Sequence, residues 1–234
     1  MKNILARGGI EFLAVMLGLS GSLWVDNAVK ENDHKTQNNK ILKRLYNNLE
    51  ADSIDAVWNY KAHSIGLKGS ENILKWCDSN PTFLSVNDSV EKDISSMIIG
   101  TLFVNNDEEY NALKNSGRMD LINNEKIIIK LHKYYTTLGF IKDIDNQFNN
   151  YTENQIKPFL SLYSNEYLFD ENVKKNIIYE TYQKINIIKM PDINRLRFFT
   201  TDALSFQKYL KNLYKNEINR VTELRQLLRK ELKI

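Results

Sequence analysis

Ile10–Val25, IEFLAVMLGLSGSLWV, is the stretch whose reading decides the architecture of this 234-residue chain. A bilayer core about 30 Å thick takes about 20 helical residues. Ile4, Leu5 and Ala6 extend the run to roughly 22 residues, enough to span. The extension takes in Arg7, whose long side chain can reach back to the head groups. Glu11 is costlier, because a carboxylate within a span faces protein rather than lipid. Arg7 lies one helical turn before it, so the two can pair. Trp24 suits the interface, and Asp26, Asn27 and Lys30 return the chain to water. The reading is a transmembrane helix. A cleaved signal peptide would need small residues after the run, where Trp24, Val25, Asp26 and Asn27 stand. A soluble core helix is the other alternative, since charges interrupt both ends.

Ala14, Gly18 and Ser22 recur every fourth residue and give this helix a small-residue stripe. Such a stripe lets two helix backbones approach closely. Glu11 lies seven residues before Gly18, on the same side. Two readings stay open: a packing face with Glu11 buried in the contact, or ordinary small residues with Glu11 at the interface.

The chain divides into a membrane helix (1–27), a polar stalk (28–40) and a helical-bundle domain (41–234). The net charge of +3 comes from interspersed acids and bases, which gives no electrostatic case for nucleic acid. One cysteine, Cys77, excludes an internal disulfide framework and fits no zinc spacing. Three prolines in the whole chain point to long helices. Counting bases does not settle the orientation: Lys2 and Arg7 precede the span, and Lys30, Lys35, Lys40, Lys43 and Arg44 follow it. Short leading tails with two bases often stay inside, which places the domain on the external, periplasmic side of a bacterial inner membrane.

Within the domain, Ile41, Leu42, Leu45, Leu49, Val57 and Trp58 form an apolar stripe weakened around Asp52. Gly66 and Gly69 mark an expected bend before a short helix at Ile73, Leu74 and Trp76, which Asn80-Pro81 breaks. Asp88 with Glu91 reads as a capping box for a helix running to Leu102. Glu108 to Asn115 is a short helix stopped by Ser116-Gly117, a left-handed position. Asn123-Asn124 leads into a helix from Glu125 to about Tyr163, kinked or shortened by Pro158. Its buried face is expected at Ile128, Leu131, Tyr135, Leu138, Ile141, Ile144 and Phe148. Asp170 to about Asn186 is moderately helical, with a strand left open at Ile185, Ile187 and Ile188, and Pro191 begins a turn or short helix. The last helix, about Thr201 to Leu232, repeats Leu210, Tyr214, Ile218, Val221, Leu224, Leu228 and Leu232. The fold class is all-α: a single transmembrane helix continuing through a stalk into an antiparallel bundle.

Glu108 to Tyr135, EEYNALKNSGRMDLINNEKIIIKLHKYY, is similar to the most recognisable stretch of a bacterial membrane-anchored family, domain of unknown function six thousand and ninety. Tyr110, Leu113, Ser116, Gly117, Leu121, Ile122 and Asn123 carry the match. Gly9 and Glu11 at the entry to the span, and Trp24 to Asn27 at its exit, resemble the family's pattern, with Ile10 inserted between Gly9 and Glu11. The carboxy-terminal third matches weakly. The resemblance implies one membrane helix followed by an all-helical domain, and it implies no activity.

No catalytic constellation is visible, and the chain reads as a non-enzyme. His34, His63 and His132 lack the spacing of a metal triad; His63 and His132 read as partly buried or surface helix residues, and Cys77 as a packed thiol. Asp143, Asp145 and Gln147 resemble the start of a calcium loop, but Phe148 stands where glycine is needed and Asn154 where the closing glutamate belongs. Tyr134, Tyr135, Tyr151, Tyr163 and Tyr167 read as core and interface residues, and Arg220 to Lys233 as a solvated face. Arg118, after Gly117, is the candidate contact for an anion or a partner carboxylate; pairing with Asp120 or a neighbouring helix is its plainer reading, with Gly117 only a cap. No metal or cofactor is expected. The expected partners are the lipid bilayer and a second copy or another membrane subunit, engaged through Glu11, Ala14, Gly18 and Ser22. The resulting expectation is a membrane-anchored interaction or scaffold protein; the alternative is a small-molecule sensor coupled to the membrane helix.

Overall fold

The computed structural model of the chain describes residues 2–79, 88–169, 183–187 and 192–234. One helix, α1, runs unbroken over Lys2–Ser79, 78 residues, which at 1.5 Å per residue is about 117 Å. Between residues 12 and 37 it has no buried side chain; Leu17 and Trp24 are each 73% exposed. This is one helix long and apolar enough to cross a membrane. From Asn38 onward its inner face is buried, through Ile41, Leu42, Leu45 and Leu49. The chain is all-α in class, with one small ribbon appended.

The expected bend at Gly66 and Gly69 is not there. Both lie inside α1, and both are places where another element comes close. A Cβ on Gly69 would sit 2.6 Å from the Asp93 carbonyl oxygen and 2.9 Å from Ser96 Cβ. A Cβ on Gly66 would run into the Gln207 amide. The glycines are contact points and not hinges.

The next helix, α2, spans Asp88–Met97 and lies against α1. It stops five residues before the expected Leu102. Residues 99–107 are non-helical and run back down α1, with Thr101 and Phe103 buried and Leu102 and Val104 exposed. That alternation is the two-residue period of an extended chain. The short helix α3, Glu108–Asn115, follows, then a 3-10 turn at Met119–Leu121.

The long helix α4, Glu125–Tyr151, starts at the Asn124 cap, whose side chain accepts from Lys126 N–H. Its buried face is Ile127, Leu131, Tyr134, Tyr135, Leu138, Ile141, Asp145 and Phe148, with Ile128 and Ile144 only partly buried. A π-helical turn, Thr152–Ile156, then leads into α5, Lys157–Ser161. Pro158 explains it: proline offers no N–H to the Asn154 carbonyl and its ring crowds that oxygen, so the turn widens. Helix thus continues to Ser161 in three pieces.

Two antiparallel strands follow, β1 Ser164–Phe169 and β2 Gln183–Ile187. Gln183 to Asn186, expected at the end of a moderately helical stretch, therefore lie in a strand, which takes in Ile185 and Ile187 where the sequence leaves a strand open. The rest of that stretch and the expected breaks at Asn80-Pro81 and Pro191 lie outside the described residues. The final helix, α6, is Ile193–Leu232 and begins eight residues before the expected Thr201. Asp192 caps it, its carboxylate accepting from Arg195 N–H at 2.9 Å.

Cross-helix pairs give the topology. Glu50 meets Arg225, His63 meets Gln207 and Asp78 meets Arg197, so α6 runs antiparallel to α1. Lys130 meets Glu223 and Tyr151 meets Asp202, so α6 is antiparallel to α4 as well. Helices α1 and α4 are consequently parallel, and the connection between them must travel back along α1. That is the path of α2, residues 99–107 and α3.

Candidate functional site

A stretch of extended backbone passing between helices brings N–H and C=O groups into the core, where each must find a partner. Leaving one unmet costs about 1–3 kcal/mol. Six such groups in residues 97–106 find theirs in side chains. Gln207 Nε2 donates to the Met97 and Ile99 carbonyls at 3.1 and 3.0 Å. Asn149 Nδ2 donates to the Thr101 carbonyl at 2.7 Å. The Val104 N–H donates to Asp55 at 2.9 Å, and the Asn106 N–H to Asp52 at 2.7 Å. Tyr135 OH donates to the Asn106 carbonyl at 3.1 Å. Gly100 stands where the Asn149 amide leaves no room for a Cβ.

His63 joins this ladder and is fully buried, contrary to the expectation of a partly buried or surface residue. Because Gln207 spends its amide N–H groups on two carbonyls, its Oε1 faces His63, and Nδ1–H donates to it at 2.7 Å. His63 Nε2 lies 2.9 Å from the Thr101 hydroxyl and 3.4 Å from Asp145 Oδ1. Tyr214 OH donates to the other Asp145 oxygen and its ring stacks on His63, centroids 5.4 Å apart. Asp145, part of the failed calcium-loop pattern, is therefore a core residue on α4.

Burial raises the carboxyls of Asp52 and Asp55 above their ordinary range, opposed by the hydrogen bonds just described. Glu217, fully buried on α6, is pushed up to about 7, chiefly by burial, with the Arg220 guanidinium acting against it. Burial likewise raises the phenols of Tyr134 and Tyr214. An imidazole, a carboxylate and a phenol in contact have the makings of acid–base chemistry. Here His63 and Asp145 are 0% and 1% exposed, and His63 and Gln207 both bond to residues of that stretch. The cluster holds residues 97–106 in place.

An open groove lies at the other end of the domain, where the exposed length of α1 enters the bundle. It has a volume of about 460 Å³ between α1, α3 and the 3-10 turn, with Ile41, Leu113 and Leu121 on its wall and Lys40, Arg44 and Arg118 at its edge. Arg118 owes its position to the end of α3. Gly117 takes φ +69°, its N–H donates to the Lys114 carbonyl, and the Arg118 N–H donates back to the Leu113 carbonyl at 2.9 Å. That pair of bonds is a Schellman motif, which needs the left-handed glycine. The guanidinium then donates to Gln37 Oε1 at 3.1 Å, so its partner is the neighbouring helix α1 of the plainer reading and not Asp120. Arg44 pairs with Glu109 at 3.2 Å.

His132 is exposed and accepts or donates at Tyr110 OH, 2.8 Å away; it does not line the groove with Arg118. Cys77 is buried, and burial raises its thiol to about 11. Tyr134 and Tyr135 lie in the core. Tyr110 and Tyr134 both pack on Tyr135, at 4.6 and 5.0 Å. No group of three metal-ligating side chains occurs among the described residues. Ala14, Gly18 and Ser22 are exposed, and nothing lies within 4 Å of where a Gly18 Cβ would be. The side chains of Arg7, Glu11 and Tyr167 lie outside the described set. No family model matches the chain, and no curated protein and no solved structure is significantly similar to it.

Proposed function

We propose that this chain is a single-pass membrane protein whose helical domain acts as an interaction or scaffold module in a larger membrane assembly. The observation that carries the reading is the continuity of α1: one helix bears the exposed apolar stretch and, without interruption, the inner face of the bundle. Apolar side chains exposed over that length need lipid or another helix to cover them. The Ala14, Gly18 and Ser22 face, with Glu11 on its side, is the contact for a second copy or another membrane subunit, since small residues allow close backbone approach. The setting is a bacterial inner membrane with the domain outside. The resemblance to domain of unknown function six thousand and ninety supports the same plan of one anchor and one helical domain.

Gly18→Ile tests the contact. Cysteine crosslinking across the span in native membranes should give a dimer or a crosslinked partner in the parent chain and lose it in the variant. Unchanged crosslinking and oligomer size refute the contact. A second reading, ligand sensing through the membrane helix, is favoured by the groove, because its wall includes Gln37, Lys40, Ile41 and Arg44 of α1 itself.

A further inference from the structure

We infer that the groove between α1 and α3 binds a small soluble amphiphile, an anionic head of phosphate or carboxylate on an apolar chain. This names the ligand class for the sensing reading. Its volume of about 460 Å³ falls within the roughly 300–1,000 Å³ of small-molecule sites. Three cations and one acid line it, Lys40, Arg44 and Arg118 against Glu109. Glu109 is engaged with Arg44. Arg118 spends one donor on the neutral Gln37 and has no carboxylate partner among the described residues; nor has Lys40. Two full positive charges thus face the groove uncompensated, and a planar guanidinium held by a fixed turn is suited to the paired oxygens of a phosphate or carboxylate. Beneath the charges, Ile41 and Leu113 are buried and Leu121 is partly buried, an apolar floor that inorganic phosphate would leave unfilled.

Geometry separates a soluble amphiphile from a lipid still in its bilayer. Gln37 is twelve residues beyond Val25, about 18 Å further along α1. A head group at the interface next to Trp24 does not reach Arg118 over that distance. A free amphiphile enters from water and joins α1 to α3 by contacting both.

The test is calorimetric titration of the full chain in phosphatidylcholine nanodiscs, with empty discs subtracted. The probes are octyl phosphate and octanoate below their micelle concentrations, with octanol and inorganic phosphate as controls. Saturable binding of the two anionic amphiphiles is expected, each control binding at least about tenfold more weakly, as charge-assisted contacts and apolar burial both imply. The combined Lys40→Ala and Arg118→Ala substitution should weaken binding by about tenfold or more. Ala112→Trp, on the exposed face of α3 lining the groove, should block it with the charges in place. Helical circular dichroism of both variants shows that they remain folded. No saturable binding, affinity within about twofold of the parent in both folded variants, inorganic phosphate binding as well as octyl phosphate, or association only with vesicles containing phosphatidylglycerol would each overturn the proposal. The Gly18 crosslinking test is independent of this one, so failure of either leaves the other readable.

Discussion

Replacing Gly69 with alanine sets two physical effects against each other. In a helix interior, glycine is less favourable than alanine by about 0.5–1 kcal/mol, so helix propensity alone makes Gly69→Ala stabilising. The fold opposes this. The new methyl would lie 2.6 Å from the Asp93 carbonyl oxygen, 2.9 Å from Ser96 Cβ and 3.1 Å from Met97 N. Two of these are backbone atoms of α2, which cannot rotate aside, so the α1–α2 contact has to open. Forcing a methyl into a packed interface costs about 1–3 kcal/mol, which outweighs the propensity gain. Gly139→Ala is the matched control: Gly139 lies within α4, is exposed, and has nothing within 4 Å of its Cβ position. It should gain about 0.5–1 kcal/mol. Thermal unfolding followed by circular dichroism in nanodiscs reads both, at about 2–4 °C per kcal/mol for a domain of this size. Opposite signs are expected. A Gly69→Ala chain as stable as the parent, or more so, would refute the close approach and restore a solvent-facing bend.

The polar ladder gives the next expectation: Gln207→Leu should destabilise by about 3–5 kcal/mol, because two carbonyls and the His63 N–H lose their partner together, and urea unfolding measures it. Glu217 gives a pH dependence. Its folded-state pKa of about 7 lies above its ordinary 4.5, so the folded form binds the extra proton between those values. Stability from this group therefore falls as pH rises from about 4.5 to 7 and levels off above, by an amount on the order of 3 kcal/mol. Glu217→Gln should flatten that part of the profile in unfolding titrations across pH 4–9. Gly117→Ala should cost about 1–2 kcal/mol from the left-handed backbone alone, and in calorimetry it should also weaken any anion binding at Arg118.

Much of the fold was legible in the sequence because three long helices carry regular apolar stripes. The stripes of α1, α4 and α6 name most of the core, and Asn124 and Gly117 mark element ends by local chemistry alone. Gly66 and Gly69 misled because a glycine needed for close approach and a glycine that ends a helix look identical until the partner element is placed. The helix expected to run through Leu102 stops at Met97 because the chain has to return along α1, a demand of topology. The polar ladder had a signal that went unread. Asp52, Asn59, His63, Gly66 and Ser70 occupy the inner face of α1, and Gln207 and Glu217 fall in register with Leu210, Tyr214 and Val221 on α6. Polar residues at core spacing on facing helices announce buried backbone that needs partners. The early start of α6 was also readable, since Asp192 precedes Ile193, Leu196 and Phe199 at helical spacing. The groove was not, because only the fold brings Lys40 and Arg44 beside Arg118.

Helix α1 is one stiff helix linking the exposed apolar stretch to the bundle core. Spin labels at Trp24→Cys and Ile54→Cys, both exposed sites on α1, test it most directly. The Cys77→Ala background removes the native thiol, and the labelled chain is diluted with unlabelled protein in nanodiscs. Thirty residues of continuous helix correspond to about 45 Å, and pulsed dipolar spectroscopy should give a single narrow distribution centred there. A broad distribution, or a mean well short of that distance, would place a hinge in the stalk and contradict the account.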